Sequence, residues 1–270
     1  MRVPQRFWIG LVAVIVYVAL AGGVGNLLDQ WFPTTNDVAE LALSHFPVLI
    51  PLIAVGLIFV WRAGWRNDVW RTPASFETQP RRWWMLAFPI LLLAQSVILL
   101  VGTPWGRWSV GALLVILVVN IMVGVGEELY FRGILRASLR SHHGETLTLV
   151  VTSLLFGAAH ALGSVLAGLP IGFVAFQVSV AAAAGAVLYG VFRATGRLWV
   201  AMALHALSDF ALRVSSGDLS SRSADDLSPS PVTITTQAIL WMLTLVLLIS
   251  CIRQDARTRR AKTEPAQAVA

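Results

Sequence analysis

Glu127 and Glu128 close an apolar run that extends from Val110 to Val125. Ionisable groups at membrane depth are costly and mark function by default. Neighbouring residues on a helix point about 100° apart, so the two glutamates face different surroundings. Glu128 and Arg132 are four apart, acid before base, and can pair on one face. Glu127 shares its face with Phe131 and has no cation at that spacing. The spacing therefore assigns Glu128–Arg132 to an orienting ion pair and leaves Glu127 free for chemistry. Phe156 and His160 also lie four apart, as do His205 and Asp209, each pair inside a later apolar run. Taken singly, each of these groups reads equally well as a hydrogen-bonded packing residue. Spread over three runs, they are expected to converge, because polar side chains in lipid seek one another.

Two chemistries suit two histidines, a free glutamate and an aspartate. A glutamate with two histidines is a known catalytic zinc set, although no His-Glu-x-x-His occurs. The favoured alternative has no cofactor. Glu127 takes a proton from water, the water attacks a peptide carbonyl, and a histidine together with Asp209 or His205 steadies the oxyanion. The nucleophile motifs of other intramembrane proteases, Gly-x-Ser-Gly and Gly-x-Gly-Asp, are absent.

The elements that must hold these groups are apolar spans. The 270 residues are 57% hydrophobic and 13% charged, against about 25% charged in soluble domains. The chain reads as an all-α, polytopic membrane helix bundle forming one domain. A span needs about 20 apolar residues. Eight runs qualify: Phe7–Leu28, Phe46–Trp61, Trp84–Val101, Val110–Gly133, Leu147–Val165, Leu169–Phe192, Leu198–Leu212 and Ile234–Ile252. The alanine-rich stretch Ala181–Ala186 reads as close helix packing.

Of the 20 basic residues, only Arg107, Arg213 and Arg222 fall outside the segments that alternate from the N-terminus. The positive-inside rule then gives N-in and C-in, with the bilayer as the chain's partner and no nucleic-acid role for the scattered arginines. The lone Cys251 excludes an internal disulfide. Arg2, Arg6 and Ala19-Leu20-Ala21 also fit a cleavable signal, an alternative to a first span. The polar stretch from Ser215 to Pro231 reads as a loop on the outer side, and the tail from Gln254 as disordered. For Glu127 and His160 to meet, the helix of Glu127 must continue inward through Ile134 and Leu135. That places the site in the cytoplasmic half of the membrane, reached from the cytoplasm.

In order along the chain, Glu127-Glu128-x-x-x-Arg132, Phe156-x-x-x-His160 and His205-x-x-x-Asp209 resemble the motifs of the CPBP family, the CAAX-prenyl-protease and abortive-infection group of intramembrane glutamic endopeptidases. The resemblance spans roughly Val123 to Phe210. It implies hydrolysis of a membrane-anchored, prenylated or otherwise hydrophobic peptide, in the plasma membrane of a bacterium. It implies that Glu127 activates water with His160, accompanied by Glu128 and Arg132, and that His205 and the residue four later stabilise the oxyanion. That later residue is commonly Asn in the prenyl proteases and is Asp209 here. An ionised Asp cannot donate to an oxyanion, so it must be protonated or orient His205 instead. A peptide-binding immunity protein and a proton-coupled transporter remain the rival readings.

Overall fold

The computed structural model describes residues 3–166, 168–219 and 231–263. The described chain is helical with no strand, and eight helices are long and apolar enough to cross a membrane. They are α1 Phe7–Leu28, α2 Asp37–Arg62, α3 Trp83–Val101, α4 Val110–Arg140, α5 Glu145–Leu166, α6 Ile171–Thr195, α7 Leu198–Ser215 and α8 Ile234–Ala261. The all-helical bundle expected from the apolar runs is the one observed.

Helix α4 is the centre of the bundle. It continues past Gly133 to Arg140, and from Leu129 to Leu135 it widens into a π-helical stretch immediately after Glu128. Every side chain from Glu128 to Leu139 is buried, which is the behaviour of a helix surrounded on all sides rather than amphipathic. On α1, Tyr17 stacks on Tyr130 with ring centroids 4.5 Å apart. Tyr130 in turn donates from its hydroxyl to the Leu52 carbonyl of α2 at 2.8 Å. The first apolar run is thus packed against α4 as helix α1.

Two glycines set how closely the remaining helices approach. A Cβ on Gly124 would lie 2.8 Å from the Met202 carbonyl oxygen, so α7 lies directly against α4. A Cβ on Gly157 would lie 2.5 Å from the Val178 carbonyl oxygen and 2.7 Å from the Ala182 Cβ, so α5 and α6 touch backbone to backbone. Small residues permit this contact in membranes, where dispersion and not hydrophobicity drives association.

One cation is sealed in this packing. Arg132 is fully buried, donates to Glu128 Oε1 at 2.8 Å and to the Gly185 carbonyl on α6 at 2.8 Å, and lies 4.1 Å over the Phe156 ring of α5. A Cβ on Gly185 would lie only 3.0 Å from the Arg132 Nη2. The alanine-rich stretch therefore does more than pack helices, because it also gives the guanidinium room.

Two boundaries differ from the sequence reading. Helix α2 starts at Asp37, nine residues before the apolar run at Phe46. Asn36 caps it, accepting from the Val38 and Ala39 amides at 3.0 and 3.1 Å. Pro47 and Pro51 lie inside it, which a packed membrane helix tolerates. The tail is not disordered from Gln254. The last helix runs Pro231–Thr263, Gln254 accepts from Arg82 at 2.6 Å, and Asp255 accepts from the Glu145 and Thr146 amides at 2.9 Å each. An aspartate at the start of another helix is a favourable cap, invisible as a local pattern because its partner lies about a hundred residues away. Residues 220–230 and 264–270, part of the polar loop and the end of the tail, lie outside the described residues.

Two substitutions test this packing. Gly157→Val forces its side chain into the α6 backbone and is expected to cost about 1–3 kcal/mol. Arg132→Ala strips the buried Glu128 of its guanidinium partner, leaving it only His205, and is expected to cost about 3–5 kcal/mol. SDS titration of the purified protein reads both, and an unchanged midpoint for either rules out the corresponding contact.

Candidate functional site

Four helices bring the sequence-identified residues together. Glu127 and Glu128 come from α4, Phe156 and His160 from α5, and His205 and Asp209 from α7, while Gly185 of α6 closes the cluster behind Arg132. Phe156 is the hub. Its ring packs at 5.2 Å against Phe131, 5.0 Å against His160 and 5.9 Å against His205, with the Arg132 guanidinium over its face.

The two glutamates are used differently. Glu128 is fully buried, and its Oε1 receives both Arg132 and the His205 Nδ1, the latter at 3.0 Å. Glu127 has no such partner. Its Oε2 is buried with no hydrogen bond, and the nearest charged atom given to it is the His205 Nε2 at 3.8 Å. The rotation of about 100° between adjacent helical residues is what separates them.

The histidines are oriented by different means. His160 Nδ1 lies 2.9 Å from the Phe156 carbonyl oxygen, one turn earlier on its own helix. Donation to that carbonyl assigns the proton to Nδ1 and leaves a lone pair on Nε2. His205 instead sits among acids. Its Nδ1 faces Glu128, and its Nε2 lies 3.3 Å from Asp209 Oδ2 as well as 3.8 Å from Glu127. A ring with a proton on each nitrogen satisfies both contacts. Asp209 therefore stands as an acceptor toward His205.

Two cavities flank the cluster. One, of about 180 Å³, is lined by Tyr17, Ser44, His45, Glu127, Phe131 and His160. A liquid water occupies about 30 Å³, so this space holds several. The second, of about 240 Å³, is lined by His160, His205, Ser208 and Asp209 and by Ala181, Ala184, Gln95 and Gln237. His160 borders both. The apolar lining of the second cavity includes Ala181 and Ala184 of the alanine stretch, which the sequence reading treated as packing.

His45 and Tyr17 were missed in the sequence. His45 reads there as part of a loop, because the apolar run begins one residue later. Once α2 is seen to start at Asp37, His45 becomes an intramembrane histidine. Its Nδ1 lies 3.0 Å from the Leu41 carbonyl, as His160 is anchored to Phe156. Tyr17 lacks any spacing signal, since it reaches the cavity from α1.

Glu127 stands near the middle of α4, whereas His160 is nearer the Leu166 end of α5 than the Glu145 end. The second cavity extends to Leu99 and Leu212, close to the ends of α3 and α7 that lie away from the arginine-rich turns. Among the described residues, no group of three or more His, Cys, Asp and Glu is arranged to hold a metal ion.

Comparison with curated proteins and with solved structures finds no match. Comparison with protein families does find one, over the segment that supplies the whole cluster from Glu127 to Asp209. Residues 109–211 match the family model of the Rce1-like type II CAAX prenyl endopeptidases.

Proposed function

We propose that the protein is an intramembrane endopeptidase in which Glu127 activates water. The observation that carries this reading is the inequality of the two glutamates. Each has a buried, unbonded Oε2, but the Glu128 Oε1 is taken by Arg132 and His205, while Glu127 borders a cavity with room for water. The family domain supports peptide-bond hydrolysis, and its description supports a prenylated peptide as substrate.

The mechanism follows from the placement of the groups. Water between Glu127 and His160 gives up a proton to the Glu127 carboxylate and attacks the scissile carbonyl carbon. The His160 Nε2 lone pair accepts a hydrogen bond from that water and aims it. As the C–O bond forms, the carbonyl π pair becomes an oxyanion. The His205 Nε2–H, between Glu127 and Asp209, is the donor available to it. Glu127 then returns its proton to the departing amine. Asp209 orients His205 and does not itself donate, which accommodates an acid at a position where the prenyl proteases commonly carry Asn. The second cavity, with its alanines and the Gln95 and Gln237 amides, receives the hydrophobic peptide.

Glu127→Gln removes the base and is expected to lower cleavage of a prenylated reporter peptide by about 10²–10⁴-fold. Its SDS-unfolding midpoint changes little, because the Glu127 Oε2 accepts no hydrogen bond and meets the His205 Nε2 only at 3.8 Å. Normal cleavage by this variant overturns the mechanism. Asp209→Asn replaces a charge-assisted hydrogen bond by a neutral one. The amide oxygen still accepts, and kcat is expected to fall about tenfold. A rise in kcat would instead make this position a direct oxyanion donor. Wild-type cleavage is expected to persist with excess chelator, and its loss, restored by zinc, would replace the glutamate route by a metal one.

A further inference from the structure

A third cavity, of about 420 Å³, lies at the other end of the bundle, among the turns that join α2 to α3, α4 to α5 and α6 to α7. Four arginines line it: Arg71, Arg136, Arg140 and Arg193. Two acids, Asp68 and Glu145, line it with them, and both are engaged. Glu145 is buried and meets Arg140 at 3.1 Å, Arg193 at 3.2 Å and the Tyr189 hydroxyl. Asp68 accepts from Gln5 at 2.7 Å. Arg71 has no side-chain partner among the described residues, and Arg136 is buried, with its guanidinium over Phe192 at 4.4 Å and donating to the Asp68 carbonyl.

An excess of cationic donors in a cavity between helix ends calls for an anion. Guanidinium forks match phosphate oxygens in geometry as well as charge. The setting identifies the source. The cavity is bounded by the ends of transmembrane helices, the level at which headgroups lie, and exposed Trp61 and Trp199 lie near those same helix ends. Basic pockets between membrane helices are known sites for anionic headgroups. We propose that this cavity binds the phosphate group of an anionic phospholipid, with Arg71 as the open contact and Arg136 as the buried one. Arg136 also donates to the Arg132 carbonyl at 2.6 Å, so the bound headgroup touches the same stretch of α4 that carries the glutamates.

The test is thermal unfolding of the full protein in a neutral detergent, with equal concentrations of dihexanoyl-phosphatidylglycerol, dihexanoyl-phosphatidylcholine or inorganic phosphate. Phosphatidylglycerol at ten or more times its dissociation constant is expected to raise the melting temperature by roughly 2–4 °C. Phosphatidylcholine gives at most a small part of that rise, and Arg71→Gln loses most of it. Arg71 lies outside the glutamate cluster, so this readout stands whether or not the protein cleaves peptides. An equal rise with both lipids, or a full rise in Arg71→Gln, overturns the site. An equal rise with inorganic phosphate overturns the lipid as the source and assigns the cavity to a soluble phosphate.

Discussion

The structure depends on satisfying one buried guanidinium. Arg132 has no solvent exposure. Its charge must therefore be met by protein, and a lone cation at that depth would cost several kcal/mol. Glu128 meets the charge, the Gly185 carbonyl takes a second N–H, and the Phe156 face covers the plane. Each partner constrains a different helix. Glu128 fixes the rotation of α4 itself, Gly185 brings α6 close, and Phe156 sets the position of α5. The second contact of Glu128, to His205, adds α7. One cation thus locates four helices, and the remaining acid, Glu127, is placed by default on the face the cation does not use.

That logic explains what was legible in the sequence. The i, i+4 spacings were readable because helix geometry turns them directly into shared faces, so Glu128–Arg132 and His205–Asp209 appear as contacts. The eight spans were readable because lipid leaves the backbone no alternative to helix. The convergence of three apolar runs followed from the scarcity of polar groups inside them. What escaped was non-local. His45 looked like a loop residue because the apolar run begins after it, although the capping-box spacing of Asp37 and Glu40 allowed a short helix there. Gln254 and Asp255 looked like a solvated tail because their partners, Arg82 and the first turn of α5, are distant in the chain.

The two histidines of the cluster illustrate how surroundings divide labour between identical side chains. His160 is anchored by a carbonyl, a neutral acceptor that fixes one proton and leaves the other nitrogen open. His205 is flanked by carboxylates, with Glu128 at its Nδ1 and Asp209 at its Nε2, so both ring nitrogens face acceptors. The first arrangement suits accepting a hydrogen bond from water, the second suits donating one. Exchanging the roles would require exchanging the anchors, Phe156 carbonyl for Glu128, and so rebuilding α4 and α5.

Asp209 fits within the same scheme. In a site where His205 had a single acidic partner, a neutral donor four residues later would be the natural companion for an oxyanion. Here Asp209 is the more exposed of the acids around His205 and lines the cavity that would receive the peptide. A second acceptor there holds the His205 Nε2–H toward the substrate side while Glu128 holds the opposite nitrogen. In the proposed mechanism the ring would be fixed at both ends before substrate arrives, and an incoming carbonyl would compete with a half-exposed carboxylate for the Nε2 proton. The acid thus supplies preorganisation where an amide would supply a second donor. The two solutions differ in which atom meets the oxyanion, not in where it forms.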